Sequence, residues 1–224
     1  MKQTKTKYKI MKQIVSDLRL PEYRYKQITN AIFHQRIDNF DHMQILPKEL
    51  RMALVNEFGN RVSSVKPVFI QDSKQVEKLL FELTDGEKIE AVGLKYKQGW
   101  ESFCISTQCG CGFGCRFCAT GSAGFKRNLT ADEITDQLLY FLFNSHKLNS
   151  VSFMGMGEAF ANPELFEAVK ILTDQSLFGL GQRRITVSTI GIIPGIQRLT
   201  REFPQVNLTF SLHSPCLLYT SPSP

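Results

Sequence analysis

Phe103-Cys104-Ile105-Ser106-Thr107-Gln108-Cys109-Gly110-Cys111-Gly112-Phe113-Gly114-Cys115-Arg116-Phe117-Cys118 runs from a short apolar strand into a glycine-rich loop with a C-x3-C-x2-C spacing at Cys111, Cys115 and Cys118. Five of the six cysteines fall in this stretch, whereas a disulfide framework would spread them to close long loops. Such clustering reads as metal or redox chemistry. Three thiolates on one loop can bind three irons of a cubane [4Fe–4S] cluster, leaving the fourth iron open to chelate a ligand with an amine and a carboxylate. Gly110, Gly112 and Gly114 allow close wrapping, and Phe113 and Phe117 can exclude water. A four-thiolate zinc site that adds Cys109 stays open, although C-x-C-x3-C-x2-C is not a usual zinc-finger spacing. Reduced cysteines without metal are the third option.

Outward from this loop the chain alternates strands and helices. Strands are expected at Phe103–Ser106, Ser150–Met154, Ile185–Ser188 and Val206–Ser211, with helices at about Ala131–Ser145, Pro163–Thr173 and Ile193–Glu202 between them. Thr130 with Glu133 forms a capping-box signature. Repeated βα units imply a parallel sheet with helical crossovers. Upstream, Val76–Leu83 and Lys88–Leu94 flank the turn signal Thr84-Asp85-Gly86-Glu87, a β-hairpin pattern. Before that, helical periodicity spans Tyr8 to about Leu18, Glu22 to about Ile37, and Pro47 to near Gly59.

The fold class expected is therefore α/β: a partial (β/α) barrel preceded by a small helical accessory domain and a β-hairpin. The divisions are 1–60 (basic helical domain), 61–100 (linker and hairpin), 101–215 (partial barrel) and 216–224, a tail with two prolines that matches no element and reads as non-native. Four βα strands do not close a barrel, so truncation is expected.

Of 224 residues, 42% are hydrophobic and 21% charged, which excludes disordered and collagen-like classes. No apolar run approaches the roughly 20 residues of a membrane span, and no secretory leader is visible, so a cytoplasmic, monomeric, membrane-free protein is expected. The net charge of +6 comes entirely from the first 100 residues. A basic patch attracts polyanions such as RNA, though a solvated helix face gives the same pattern.

Several further positions carry chemistry. Ser152-Phe153-Met154-Gly155-Met156-Gly157-Glu158 ends a strand with glycines that allow close ligand approach, and Glu158 can accept hydrogen bonds from an amine or hydroxyl. A sharp turn explains the same glycines. Ser188, and Ser211-Leu212-His213, place polar groups at strand ends, the active face of parallel α/β architectures, or serve as ordinary caps. Cys104 reads alone as a buried small hydrophobe, and Glu90 as a surface strand carboxylate.

The cysteine spacing after a first βα strand resembles the radical S-adenosylmethionine (SAM) superfamily. Phe103–Gly110 and Ala119-Thr120-Gly121 resemble specifically its rRNA adenine methyltransferases, over nearly the whole chain up to His213-Ser214-Pro215. Within that family the pattern is closest to enzymes that methylate C8 of an adenosine in 23S rRNA and give resistance to ribosome-targeting antibiotics. A housekeeping branch methylates C2 of the same adenosine and shares every motif quoted. From another class, a zinc-stabilised RNA-binding module without catalysis remains.

The resemblance implies a [4Fe–4S] cluster on Cys111, Cys115 and Cys118, and SAM bound by Gly157, Glu158, Ser188, Ser211, Leu212 and His213. It implies that Cys104 resolves a covalent enzyme–RNA adduct and that Glu90 accepts a proton. It further implies contact of the first helices, with Tyr8, Tyr23 and Tyr25, to unassembled or early large-subunit 23S rRNA, and an electron donor such as a flavodoxin. Relatives carry a methylated cysteine in a C-terminal segment that Cys216 does not match, so these 224 residues are expected not to methylate RNA. Cys109 receives no role.

Overall fold

The computed structural model describes residues 5–212, so Cys216 and the 216–224 tail lie outside the described residues. Three helices come first: α1 (Lys7–Asp17), capped by the Thr6 hydroxyl, α2 (Tyr23–Phe33) and α3 (Lys48–Phe58). Strands β1 (Lys66–Asp72), β2 (Val76–Glu82), β3 (Lys88–Lys95) and β4 (Glu101–Cys104) follow. A ribbon of β5 (Gln108–Gly110) and β6 (Phe125–Asn128) encloses the cysteine loop and the short helix α4 (Ala119–Ser122). Then α5 (Ala131–Phe143), β7 (Ser150–Phe153), α6 (Leu165–Thr173), β8 (Ile185–Thr189), α7 (Ile193–Glu202) and β9 (Asn207–Phe210) alternate.

The main sheet runs β1-β2-β3-β4-β7-β8-β9. Its parallel half, β4-β7-β8-β9, is the expected partial barrel. The expected hairpin is not free-standing, because β3 pairs antiparallel with β4 and the β1–β2–β3 meander extends the barrel sheet. Strand β1 escapes sequence reading because it is exposed at nearly every position and shows no alternation. The three-residue β5 is too short to carry a period.

Alternation in the central strands sends one set of side chains to the helices. Leu79, Phe81, Ile89, Ala91, Phe103, Val151, Phe153, Ile185 and Val187 are buried with Ile134, Leu138 and Phe141 of α5 and Val169 and Leu172 of α6. The Phe103 and Phe141 rings lie 4.5 Å apart, and Gly93 leaves room for both. His146, after α5, sits edge-on to these rings with Nε2 3.0 Å from Glu77 and Nδ1 3.1 Å from Glu101, joining β2 to β4. The other face of the parallel half is small and polar: Ser102, Cys104, Ser150, Ser152, Thr186 and Ser188 follow one another by register.

The first helices join the same core. Lys7 is buried, and its ammonium binds Asp136 and the Val62 carbonyl while its amide donates to Asp132. Tyr8 is buried against Phe33, and Tyr25 is half-buried. Lys9 pairs with Glu167 and Lys12 with Glu22. The cations of α1 are thus paired with carboxylates, and of the three tyrosines Tyr23 alone is largely exposed, beneath the Arg24 guanidinium. Among the described residues no helix is long and apolar enough to cross a membrane.

Burial pushes the Asp132 carboxyl up to about 6, the Asp136 charge adds to this, and Lys7 opposes it. Its Oδ1 is buried without a hydrogen-bond partner. The folded form therefore holds this proton more tightly than the unfolded chain, so the group's contribution is full below about pH 4 and is lost as pH rises through about 6. Asp132→Asn should flatten the stability profile between pH 4 and 6 and raise stability at pH 7.5 by about 2 kcal/mol, read from urea unfolding at each pH. A parent profile that does not fall over this interval refutes the assignment.

Candidate active site

The site is built where β4 and β7 end. Gly155 N–H donates to the Ile105 carbonyl, Met156 N–H to the Ser106 hydroxyl, and the Thr107 and Gln108 amides both donate to the Met156 carbonyl. A Cβ on Gly155 would lie 2.7 Å from the Ile105 carbonyl carbon, so the two backbones touch as only glycine permits. Buried amides complete the junction. Gln137 exchanges hydrogen bonds with the Ser106 backbone, and Asn162 donates to the Thr107 and Leu129 carbonyls.

From this junction β5 leads into the cysteine loop. Gly110 has φ +73°, and a Cβ there would fall 1.7 Å from the Gly124 carbonyl oxygen, to which the Cys111 amide also donates. Cys111, Cys115 and Cys118 are free thiols of intermediate exposure. Partial burial pushes the Cys115 thiol up, and charge on Cys111 or Cys118 pushes it further, so the three lie within electrostatic reach. This donor set fits a cluster that takes one thiolate on each of three irons. Among the described residues no three His, Cys, Asp or Glu side chains gather around a point where one ion would sit. Cys109 is buried on β5, pushed up to about 11 by burial against the counteracting Arg127. Arg127 is held by Asp85 and Glu133, bracing this ribbon against the β2–β3 turn and α5. Phe113 and Phe117 are 40% and 51% exposed, so in this structure they rim the loop rather than seal it.

Cys104 lies at the end of β4, opposite Val92 on one side and Ser152 on the other. Burial raises its thiol, and the nearby Ser152 hydroxyl and Met154 amide pull it back, the Ser152 hydroxyl also reaching the Phe103 carbonyl at 3.4 Å. Glu90, two residues before Val92 on β3, reaches the same end of the sheet, and its carbonyl accepts from the Ser106 hydroxyl. Its carboxylate is paired with Lys78 at 2.8 Å.

The remaining site residues lie along the neighbouring strand ends. Glu158 is buried and fully engaged: Oε1 accepts from the Thr189 hydroxyl at 2.6 Å and from Phe160 N–H, and Oε2 from Ile190 N–H. It pins the loop after β7 to the end of β8. Gly157, at φ +98°, packs on the Gln108 side chain, whose Oε1 accepts the Glu158 amide. The Ser188 and Ser211 hydroxyls are 2.8 Å apart, joining β8 to the residue after β9. Leu212 is exposed, and His213 lies outside the described residues. Sequence reasoning missed Ser152, Gln108 and Thr189 because their roles depend on strand register and loop contact.

Cysteine loop, polar sheet face and glycine-lined strand ends thus converge at the C-terminal edge of a parallel half-barrel, the arrangement of an enzyme that mounts a cofactor over its strand ends. The family description "Radical SAM superfamily" matches residues 105–216, half of the chain, and the chain belongs to that superfamily. With it come a [4Fe–4S] cluster and SAM as cofactors. The chain is 85% identical over 215 residues to the ribosomal RNA large subunit methyltransferase Cfr of Clostridium botulinum strain Okra, covering 96% of this chain and 62% of that protein. It is 65% identical over 210 residues to Cfr of Lachnoclostridium phytofermentans, covering 94% and 61%. A radical SAM methyltransferase from Sphaerobacter thermophilus superposes with a TM-score of 0.85 at 36% identity, over 94% of this chain and 63% of that one. The chain therefore spans a little over three-fifths of the length of these relatives.

Two outcomes test this geometry. Gly110→Ala should destabilise the chain by about 2–3 kcal/mol and abolish iron loading. Gly114→Ala, at φ +59° in open space, should cost about 1 kcal/mol and retain it; denaturant unfolding and iron analysis decide. Ser152→Ala should move the pH midpoint of Cys104 alkylation by iodoacetamide further up, followed by mass spectrometry of the Cys104 peptide. Unchanged alkylation would remove Ser152 from the site.

Proposed function

We propose that these residues form the cluster- and SAM-binding part of a radical SAM methyltransferase that, as a whole protein, acts on C8 of an adenosine in 23S rRNA and gives resistance to ribosome-targeting antibiotics. The observation that carries this reading is the three-thiol loop that leaves β5 a few residues after Cys104, at the edge of the sheet where the hydroxyl groups of Ser188 and Ser211 meet.

In this reading the thiolates of Cys111, Cys115 and Cys118 hold the cluster, and neither Cys104 nor Cys109 is a ligand. The cluster, once reduced, supplies the one-electron cleavage of SAM that an unactivated aromatic C–H requires. The chain's own residues arrange what surrounds it. Ser188 and Ser211 offer hydroxyls to SAM, Gly157 keeps the backbone low for its amino end, and Leu212 adds an apolar contact, with His213 assigned to SAM by the family resemblance alone. Glu158 serves SAM by holding the β7 and β8 loops in register, since both its oxygens are already committed within the protein. Cys104 presents its thiol on the polar face toward the base, with Ser152 favouring the thiolate that resolves the RNA adduct. Glu90 becomes a proton acceptor on release from Lys78. Residues 5–60 brace this half-barrel and add RNA contacts through the cations that, among the described residues, are in no ion pair. A flavodoxin-like electron donor and a monomeric state complete the proposal.

Anaerobic reconstitution with iron and sulfide tests it. About four irons per chain are expected, with an EPR signal of the reduced protein that SAM perturbs. Alanine at any of Cys111, Cys115 or Cys118 should abolish the signal, and alanine at Cys104 should preserve it. Stoichiometric zinc without an EPR signal would replace this reading with a structural metal site. Mass spectrometry of rRNA from cells carrying the corresponding full-length gene separates C8 from C2 methylation.

A further inference from the structure

The strands of the parallel half begin on a rim opposite the candidate active site. Four loops form it: 73–75 before β2, 96–100 between β3 and β4, 147–149 before β7, and 182–184 before β8. They are tied together. Lys95 N–H donates to the Gln75 carbonyl, Glu101 N–H to the Asn149 side chain, and Arg184 to the Asn149 carbonyl. The 96–100 loop is closed by Tyr96 N–H to the Trp100 carbonyl and Gly99 N–H to the Tyr96 carbonyl, so it presents two aromatic rings on a fixed turn.

Those rings face outward: Tyr96 is 49% and Trp100 39% exposed. The Arg184 guanidinium lies 4.3 Å from the Trp100 ring centroid, covering one side of it. Beside Tyr96 a shallow cleft of about 380 Å³ is lined by Val76, Leu94, Lys95 and Lys97 among others. Lys74, Lys97, Lys147, Arg183 and Arg184 are exposed on the same rim, and none is in an ion pair among the described residues. Of the nearby carboxylates, Glu77 and Glu101 are turned inward onto His146, leaving Asp72 at the end of β1. The cations of α1 stand in contrast, since Lys7, Lys9 and Lys12 are all consumed by carboxylates.

Exposed flat rings with unneutralised cations around them suit unpaired nucleotides, whose bases stack while their phosphates meet the charges. We infer that this rim is a second RNA-contact surface, in which Tyr96 and Trp100 stack unpaired bases and Lys97, Lys147, Arg183 and Arg184 contact the flanking phosphates. The inference rests on the reading of the protein as acting on RNA. The four residues of β4 span on the order of 10–13 Å, so one folded RNA can touch the rim and still reach Cys104 around the sheet.

Trp100 is the only tryptophan of the chain, which makes its fluorescence a direct reporter. Protein-free 23S rRNA transcript is titrated into the reconstituted chain. Trp100 emission should be quenched as the complex forms. Arg183→Glu with Arg184→Glu should lower affinity about tenfold or more and reduce the slope of log K against log salt by about 2. The same exchange at Lys170 and Arg201, on helices α6 and α7, should leave both unchanged. Circular dichroism and iron content confirm that the variants fold. RNA binding with unaltered Trp100 emission and undiminished affinity of the Arg183/Arg184 variant overturns the inference and leaves the RNA reading standing. Failure of the unaltered chain to bind the transcript at all overturns both.

Discussion

The hydrogen-bonded contact between residues 105–108 and 154–158 is the constraint on which the site depends. Two strand ends that merely ran side by side would diverge into loops of independent shape. Here Gly155 lets the backbones meet, Ser106 and Gln108 lend their side chains to the opposite loop, and Asn162 and Gln137 satisfy the carbonyls and amides left in the buried gap. Each such buried partner is costly to remove, because the group it leaves behind cannot turn to water. The cysteine loop departs from one side of this junction and the Glu158 loop from the other, so their relative position is set by backbone contact.

The sheet divides labour by face. Apolar residues alternate toward α5 and α6, and the intervening positions, largely serine and threonine on the parallel strands, line the side a ligand would approach. Small hydroxyl residues there keep the surface shallow and wettable. The His146 brace on the far side fastens β2 to β4, joining the antiparallel extension to the barrel strands as one sheet.

Much of this was legible in the sequence, for identifiable reasons. The βα alternation follows from periodicity, and the Thr130–Glu133 capping box forms as its spacing dictates, both of its hydrogen bonds being present. The cysteine loop was legible because thiol spacing is local. What escaped was set by distant contacts. Nothing near Lys7 in the sequence reveals that Asp136 awaits it, so an apparent RNA-facing lysine is a core residue. Glu158 reads as an open acceptor until Thr189 and Ile190 are placed beside it. Strand β1 has an edge strand's composition, with Phe69 and Ile70 exposed, and lacks the alternation by which strands are recognised.

The crowded glycines also say which mutational routes lie open to this protein over generations. At Gly110 and Gly155 the obstacle to a methyl group is backbone, the Gly124 carbonyl in one case and Ile105 in the other. No second mutation can whittle a carbonyl away, so drift at those two codons ends at the first step. At Gly195 the obstacle is the Phe160 ring, 2.3 Å from where a Cβ would stand. A lineage that first trimmed Phe160 could afterwards accept alanine at 195, and the order of those two events would be fixed.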